Sequence, residues 1–258
     1  MKLSHVLVAC NNNTHYLDFW PVVKEAWNKI VGLPCTMIYV GDFLPNHLKD
    51  DPDVKFFKAI SSWPTATQAQ CIRLLYPALI ETDGAIMISD MDIVPLQSNF
   101  FIDGFEQFNP NQFVSLRGID EHHKEIYMCY VGGTAPTWSR MFGIKTEDDV
   151  RARLMEWSQG NPSDGTHGGE GWCTDQQILY EIVKMQNQEL VGLCPWTATI
   201  PRLCRSNPDE YMIPSQSLMM NLLTAKYVDF HMPEYHTYES IIYRTLEGTG
   251  RLDNLNLK

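Results

Sequence analysis

The chain lacks most of the marks that would classify it at a glance. Its seven cysteines stand singly at 10, 35, 71, 129, 173, 194 and 204, with no Cys-x-x-Cys pair. That spacing argues against a disulfide framework and against zinc held by cysteines, and it suits a reducing compartment. Positive charge is also scarce: 20 Lys and Arg stand against 31 Asp and Glu, a formal net charge of -11 over 258 residues. A protein built to hold nucleic acid needs clustered Lys and Arg, and an acidic one is repelled by anionic membranes. No apolar run is long enough to span a bilayer. The first ten residues, "MKLSHVLVAC", are too short in their apolar part for a secretory signal and read instead as a buried strand. Internal repeats and low-complexity tracts are missing too. The expectation is a soluble, cytoplasmic protein with no nucleic-acid partner and no stable membrane insertion. Hydrophobic residues make up 44% of the chain, ordinary for a protein with a substantial core, and the length suits one large α/β domain.

What is present is an alternation of short strands and helices. "HVLVAC", "CTMIYVGD" and "VKFFKAI" read as strands. "LDFWPVVKEAWNKIVG" carries apolar residues at helical spacing and stops near Gly32. "PTATQAQCIRLLYPALIET" reads as a helix that Pro77 bends or ends. Alternation of this kind points to a parallel sheet with helices on its faces, whose strand ends at the carboxyl side gather ligands. Asn11, Asp42, Asp90 and Asp92 follow strand ends and would share that rim. In the second half, "QFVSLRG" and "IYMCYVGG" contain strands. "TEDDVRARLMEWSQG" is helical with Thr146 as its cap, and "NPSDGTHGGEGWCTDQQILYEIVKM" is a glycine-heavy loop running into a helix near Thr174 or Asp175. The tail from Tyr238 to Lys258 is amphipathic, suited to the domain surface or to a partner.

The stretch "AIMISDMDIVPL", residues 85–96, sets two carboxylates inside an apolar run. In an extended chain Asp90 and Asp92 share a face and Met91 takes the other. Two carboxylates beside buried residues are costly unless neutralised, and two oxygen donors aimed at one point suit a hard divalent cation. The plainer alternative is a strand that ends at a polar turn.

The block "TATQAQCIRLLYPALIETDGAIMISDMDIVPL" resembles the core of GT-A glycosyltransferases, especially the glycogenin and galactosyltransferase-like group. There a helix with an Arg-Leu pair and a proline precedes a strand ending in Asp-x-Asp. The resemblance extends, in order, to "VLVACNNNTHY", "YVGGTAPTW", "TDQQIL" and "VDFHMP", and more faintly to small glycosyltransferases of large algal viruses. It implies a GT-A fold: one α/β domain over residues 1–258 with a Rossmann-like, mostly parallel sheet and helices on both faces. Residues 1–110 would form the nucleotide-binding half and 111–258 the acceptor and sugar half. The implied activity is transfer of a sugar from a UDP-sugar to a carbohydrate or glycoconjugate acceptor, with Mn2+ or Mg2+ as cofactor.

Carried over by residue, the resemblance puts Asp90, Asp92 and His231 on the metal, with Asp90 also facing the donor and His236 close behind His231. Arg73 would meet the nucleotide or its phosphates, its alternative being an ion pair with Glu81. Ala9, Asn11 and Tyr16 would cradle uracil and ribose, with His15 second to Tyr16 and Asn12 and Asn13 making the turn. Asp42 is a further donor candidate. Gly132 and Gly133 would let the backbone approach the sugar. Asp175 and Gln176 would face the donor sugar, and Glu170 competes with Asp175 for the role of base. Thr174 or Asp175 would alternatively cap the helix. Trp172 and Trp138 are candidates for stacking on a sugar or for the core. The sequence departs from the group in its asparagine-rich first loop and in having "MPEYHTYE" where a Lys-Pro-Trp segment would follow His231. Retention is suggested by Asp175-Gln176 and inversion by the acidic loop at Glu170; the residues favour neither. Three other readings compete. "MISDMDIV" also fits a haloacid-dehalogenase-type phosphatase, although its motif belongs on the first strand. A nucleotidyltransferase needs a Gly-rich, basic first loop that "CNNNTHY" lacks, and a non-catalytic carbohydrate-binding module has no need of paired carboxylates.

Overall fold

The computed structural model describes residues 1–193 and 200–250. In chain order the strands are β1 Leu3–Cys10, β2 Cys35–Gly41, β3 Val54–Lys58, β4 Ala85–Ile88, β5 Ile93–Pro95, β6 Phe113–Ser115, β7 Ile119–Asp120, β8 Glu125–Ile126, β9 Val131–Thr134, β10 Val191–Leu193, β11 Arg202–Cys204 and β12 Asp229–His231. The helices are α1 Thr14–Leu17, α2 Trp20–Ala26, α3 Thr65–Ile72, α4 Asn99–Glu106, α5 Ala135–Phe142, α6 Glu147–Gly160, α7 Thr174–Lys184, α8 Pro208–Tyr211, α9 Ser215–Leu223 and α10 Tyr235–Glu247.

Among the described residues seven strands form one sheet in the order β10-β6-β9-β4-β1-β2-β3. β9 runs antiparallel to both its neighbours, and the other pairings are parallel. The expected mostly parallel α/β architecture is what forms, and strands from both halves of the chain share the sheet. Its two faces follow from strand period two. Val6, Val8, Met37, Tyr39 and Met87 face one core with α2, α4, α9 and α10. Leu7, Ile38, Val40, Ile86 and Ile88 face the other with α3, α5, α6 and α7. Each such aliphatic side chain contributes about 1.5–3 kcal/mol by leaving water.

Local chemistry sets the element ends. α2 closes in a π-helical turn, Trp27–Val31, and stops at Gly32, whose φ of 79° is the left-handed conformation that favours glycine. α3 ends at Ile72 with Arg73 as its C-cap, and a separate 3-10 turn covers Tyr76–Leu79. Pro77 explains the break: it has no N–H, and its ring would meet the carbonyl of Arg73 four residues back. Thr146 caps α6 in a capping box with Asp149, as expected. α7 starts at Thr174 with Cys173 as its N-cap, so Asp175 lies inside the first turn and is not the cap. In the tail, Ile242 and Leu246 of α10 are buried in the first core; positions 251–258, like Cys194, lie outside the described residues.

A second, three-stranded sheet has the order β11-β12-β5. It receives the chain after the Asp-x-Asp motif and returns His231 to it. β12 pairs antiparallel with β5 in a register that sets His231 opposite Ile93, and Met232 N–H donates to the Asp92 carbonyl at 2.8 Å.

Candidate active site

The carboxyl ends of β1, β4 and β6 point to one edge of the sheet. A cavity of about 300 Å³ opens there, lined among others by Ala9, Asn11, Tyr16, Arg73, Asp90, Met91, Asp92, Asp175, Gln176 and His231. Residues 90–92 are not the extended pair expected from the sequence. β4 stops at Ile88, Met91 and Asp92 form a turn, and β5 begins at Ile93 in the other sheet. The apolar flanks belong to two strands of different sheets, and the carboxylates occupy the corner between them. Both still reach the cavity.

Each carboxylate is held by an arginine. Asp90 accepts from Nη1 of Arg73, and Nη2 of the same guanidinium donates to Asp175 Oδ2 at 3.0 Å. Arg73 therefore pairs with Asp90 and Asp175, not with Glu81. Its position as the C-cap of the broken helix α3, beside the end of β4, is what brings it there. Asp175 Oδ1 accepts from the Gln176 N–H at 2.9 Å. Burial pushes the Asp175 carboxyl up to about 6, with Arg73 opposing and the charge of Asp90 adding. Asp92 accepts from Arg205 Nη1 at 2.7 Å and lies 3.2 Å from His231 Nε2. Burial works to raise Asp92, but the hydrogen bond and charge of His231 and the charge of Arg205 hold it below the usual carboxylate range. His231 is correspondingly raised, its bond to Asp92 outweighing burial.

The donor set of Asp90, Asp92 and His231, two hard oxygens and an imidazole nitrogen, suits Mn2+ or Mg2+. In the arrangement as it stands two of the three converge, Asp92 and His231, while Asp90 is turned to Arg73. Among the described residues no three His, Cys, Asp or Glu side chains enclose a single point as a metal cage. The donor types suit a divalent cation, while as they stand Arg73 pairs with Asp90 and Arg205 with Asp92.

At the β1 end, Asn13 caps α1 by accepting from His15 N–H at 3.0 Å. Asn11 lines the cavity, but its side chain is committed to the loop: Nδ2 donates to Thr65 Oγ1 and Oδ1 accepts from Asn13 N–H. The Tyr16 hydroxyl bonds His167 Nδ1 at 2.8 Å, and the His167 ring lies 4.3 Å from that of Trp172. This aromatic chain ties the first loop to the glycine-rich one. The latter needs glycine at Gly171, where φ is 72° and a Cβ would sit 2.4 Å from the Pro162 carbonyl.

Several expected residues fall elsewhere. Asp42 is exposed beyond β2 and lines no part of the cavity. Glu170 and His15 are exposed and outside it as well. Gly132 and Gly133 are buried within β9, where glycine is needed for packing: a Cβ on Gly132 would lie 2.7 Å from the Ile86 carbonyl, and one on Gly133 2.9 Å from Thr137. Trp138 is a core residue that donates to the Ile86 carbonyl at 3.0 Å, whereas Trp172 does line the cavity. His236 bonds Asp18 at 2.7 Å, away from the site. The sequence reading missed Arg117, Arg202 and Arg205, which also line the cavity. The available signals were an Arg-Gly at the end of β6 and the two arginines bracketing "RLCR".

No family model matches the sequence, and no curated protein does. Solved structures do match in fold. A galactosyltransferase, LgtC, solved with donor and acceptor sugar analogues, superposes over 98% of both chains with a TM-score of 0.50 and 12% identity. The apo form of the glycosyltransferase GlyE of Streptococcus pneumoniae also has a TM-score of 0.50, at 10% identity, covering 94% of this chain and 60% of that one. At such identities the likeness is one of architecture: the chain has the fold of GT-A glycosyltransferases.

Proposed function

We propose that the protein is a glycosyltransferase that moves a sugar from a UDP-sugar to a carbohydrate acceptor, with Mn2+ or Mg2+ held by Asp90, Asp92 and His231. The observation that carries this reading is the meeting of Asp92 and His231. They are 139 residues apart in the chain and 3.2 Å apart in the lining of the cavity. A fold that brings an imidazole and a carboxylate together at its ligand-binding edge has built a donor pair. Such an ion, when bound, neutralises a diphosphate and withdraws charge from the departing nucleoside diphosphate.

The chain's own residues divide the remaining work. Tyr16 offers a ring on which a base stacks without strong discrimination. Arg73 orients Asp90 and Asp175 at once. Asp175, fixed by two hydrogen bonds in the first turn of α7, presents a carboxylate to the sugar or to the incoming hydroxyl, and Gln176 beside it supplies an amide. Among the two candidate bases, the cavity favours Asp175 over the exposed Glu170. A phosphatase with Asp90 as nucleophile is disfavoured because its motif belongs on the first strand, whereas Asp90 follows β4. UDP release measured across a panel of UDP-sugars, with simple glycosides as acceptors, tests the reading. Turnover with at least one donor in the presence of Mn2+ is expected; no hydrolysis or transfer from any donor would sink it.

A further inference from the structure

Beyond the acidic cluster the same cavity carries a basic wall. Arg202 is clasped by Asp229, at 2.7 and 2.6 Å, and Asp229 also takes the Tyr130 hydroxyl. Arg205 lies on Asp92. Arg117 has no such counter-charge. Its Nη1 donates to the sulfur of Cys129 at 3.0 Å, its guanidinium stands 4.7 Å over the ring of Tyr127, and its buried Nε has no hydrogen-bond partner. Arg202 approaches the same sulfur at 3.7 Å. Two guanidinium groups thus converge on one thiol, a weak acceptor, and among the described residues Arg117 pairs with no carboxylate. The charge divides accordingly. Asp90 and Asp175 outnumber Arg73 at one end, while Arg117 and Arg202 outnumber Asp229 at the other. A half-buried cation without a counter-charge is costly to keep, and a ligand anion would offset that cost.

Position along the sheet edge says which part of a ligand this is. β1, with Asn11 and Tyr16, lies three strand spacings from β6, whose end carries Arg117, and β4 with Asp90 stands between. At 4.7–4.9 Å per spacing the two ends are about 14 Å apart. A nucleoside at β1 and a diphosphate at β4 leave the β6 end for what lies beyond the transferred sugar.

We propose that the Arg117–Arg202 wall is an acceptor subsite for an anionic sugar, one bearing a carboxylate, sulfate or phosphate ester. The inference rests on the glycosyltransferase reading and names its acceptor class.

Binding of matched probes by ligand-observed NMR tests it. The pairs are methyl glucuronide against methyl glucoside, galactose 6-sulfate against galactose, and glucose 6-phosphate against glucose, each with and without UDP. At least one charged member should bind about tenfold tighter than its neutral partner, as a charge-assisted hydrogen bond supplies. That ratio should collapse in R117Q and be partly kept in R117K, with melting temperatures verifying the fold of both. Equal binding within every pair in the wild-type protein overturns the proposal, whether or not the variants fold. So does a tenfold loss of UDP affinity in R117Q with the pair ratio intact, which would assign the cation to the donor's diphosphate. A charged preference that survives when no UDP-sugar is turned over would leave the subsite standing and remove the transferase reading.

Discussion

Asp175 shows how burial and charge compete within a single carboxyl group. Its folded value of about 6 is above the ordinary carboxylate value because burial outweighs Arg73. The sign of the consequence is fixed by linkage. A raised carboxyl contributes stability that is fully present below about pH 4 and is lost as pH rises through about 6. Denaturant unfolding of the wild-type protein should show this component between those values, and D175N should lack it. Activity should run the other way. If Asp175 acts as a carboxylate, turnover falls as pH drops through about 6. D175N should reduce turnover about a hundredfold or more at neutral pH and lose that acid limb. An unchanged acid limb in D175N would move the titrating role to another group.

At the level of elements, β9 shows the cost of reading a glycine pair as a ligand contact. Gly132 faces the Ile86 carbonyl and the Phe105 ring, both part of the packed sheet and core. G132A should therefore destabilise the fold by about 1–3 kcal/mol, the usual cost of overpacking. It should leave UDP affinity of the folded fraction intact. A selective loss of ligand affinity at normal stability would restore the glycine to the site. The strands of the first half were legible because their apolar runs are β-branched, short and punctuated by turn residues. That α3 is interrupted was legible from Pro77, but not whether it bends or ends; the helix ends, at Ile72. The Asp-x-Asp corner was misread for a related reason: "AIMI" and "IVP" look like one apolar run, and nothing local says that they enter different sheets. Asp90 and Asp92 line the cavity, as their place at a strand end implied, while Asp42 does not; Arg73, which also lines it, came from the resemblance. His231 came from the resemblance alone, since a single histidine after a strand carries no chemistry of its own.

On the scale of the whole molecule, the net charge of -11 conceals where the positive charge is. Arg73, Arg117 and the Arg202–Arg205 pair come from three separate stretches of the chain and meet in one cavity. Composition averages over that convergence, which explains why three of the four escaped a reading of the sequence. These arginines line a concave site rather than an exposed stripe. Among the described residues no helix is long and apolar enough to cross a membrane. The fold thus concentrates a mixed-charge, ligand-sized cavity at the edge where parallel strands end, in the architecture of sugar-transferring enzymes.

We propose that this cavity takes a nucleoside diphosphate through a cation on Asp90, Asp92 and His231. Titration calorimetry of UDP into the wild-type protein and into D92N, each with Mn2+ and with EDTA, tests it most directly. UDP should bind the wild-type protein in Mn2+ and weaken by about tenfold or more in EDTA. D92N should show the weaker affinity in both buffers. UDP binding that is equally tight in EDTA and in D92N, or no binding in any condition, would contradict the account.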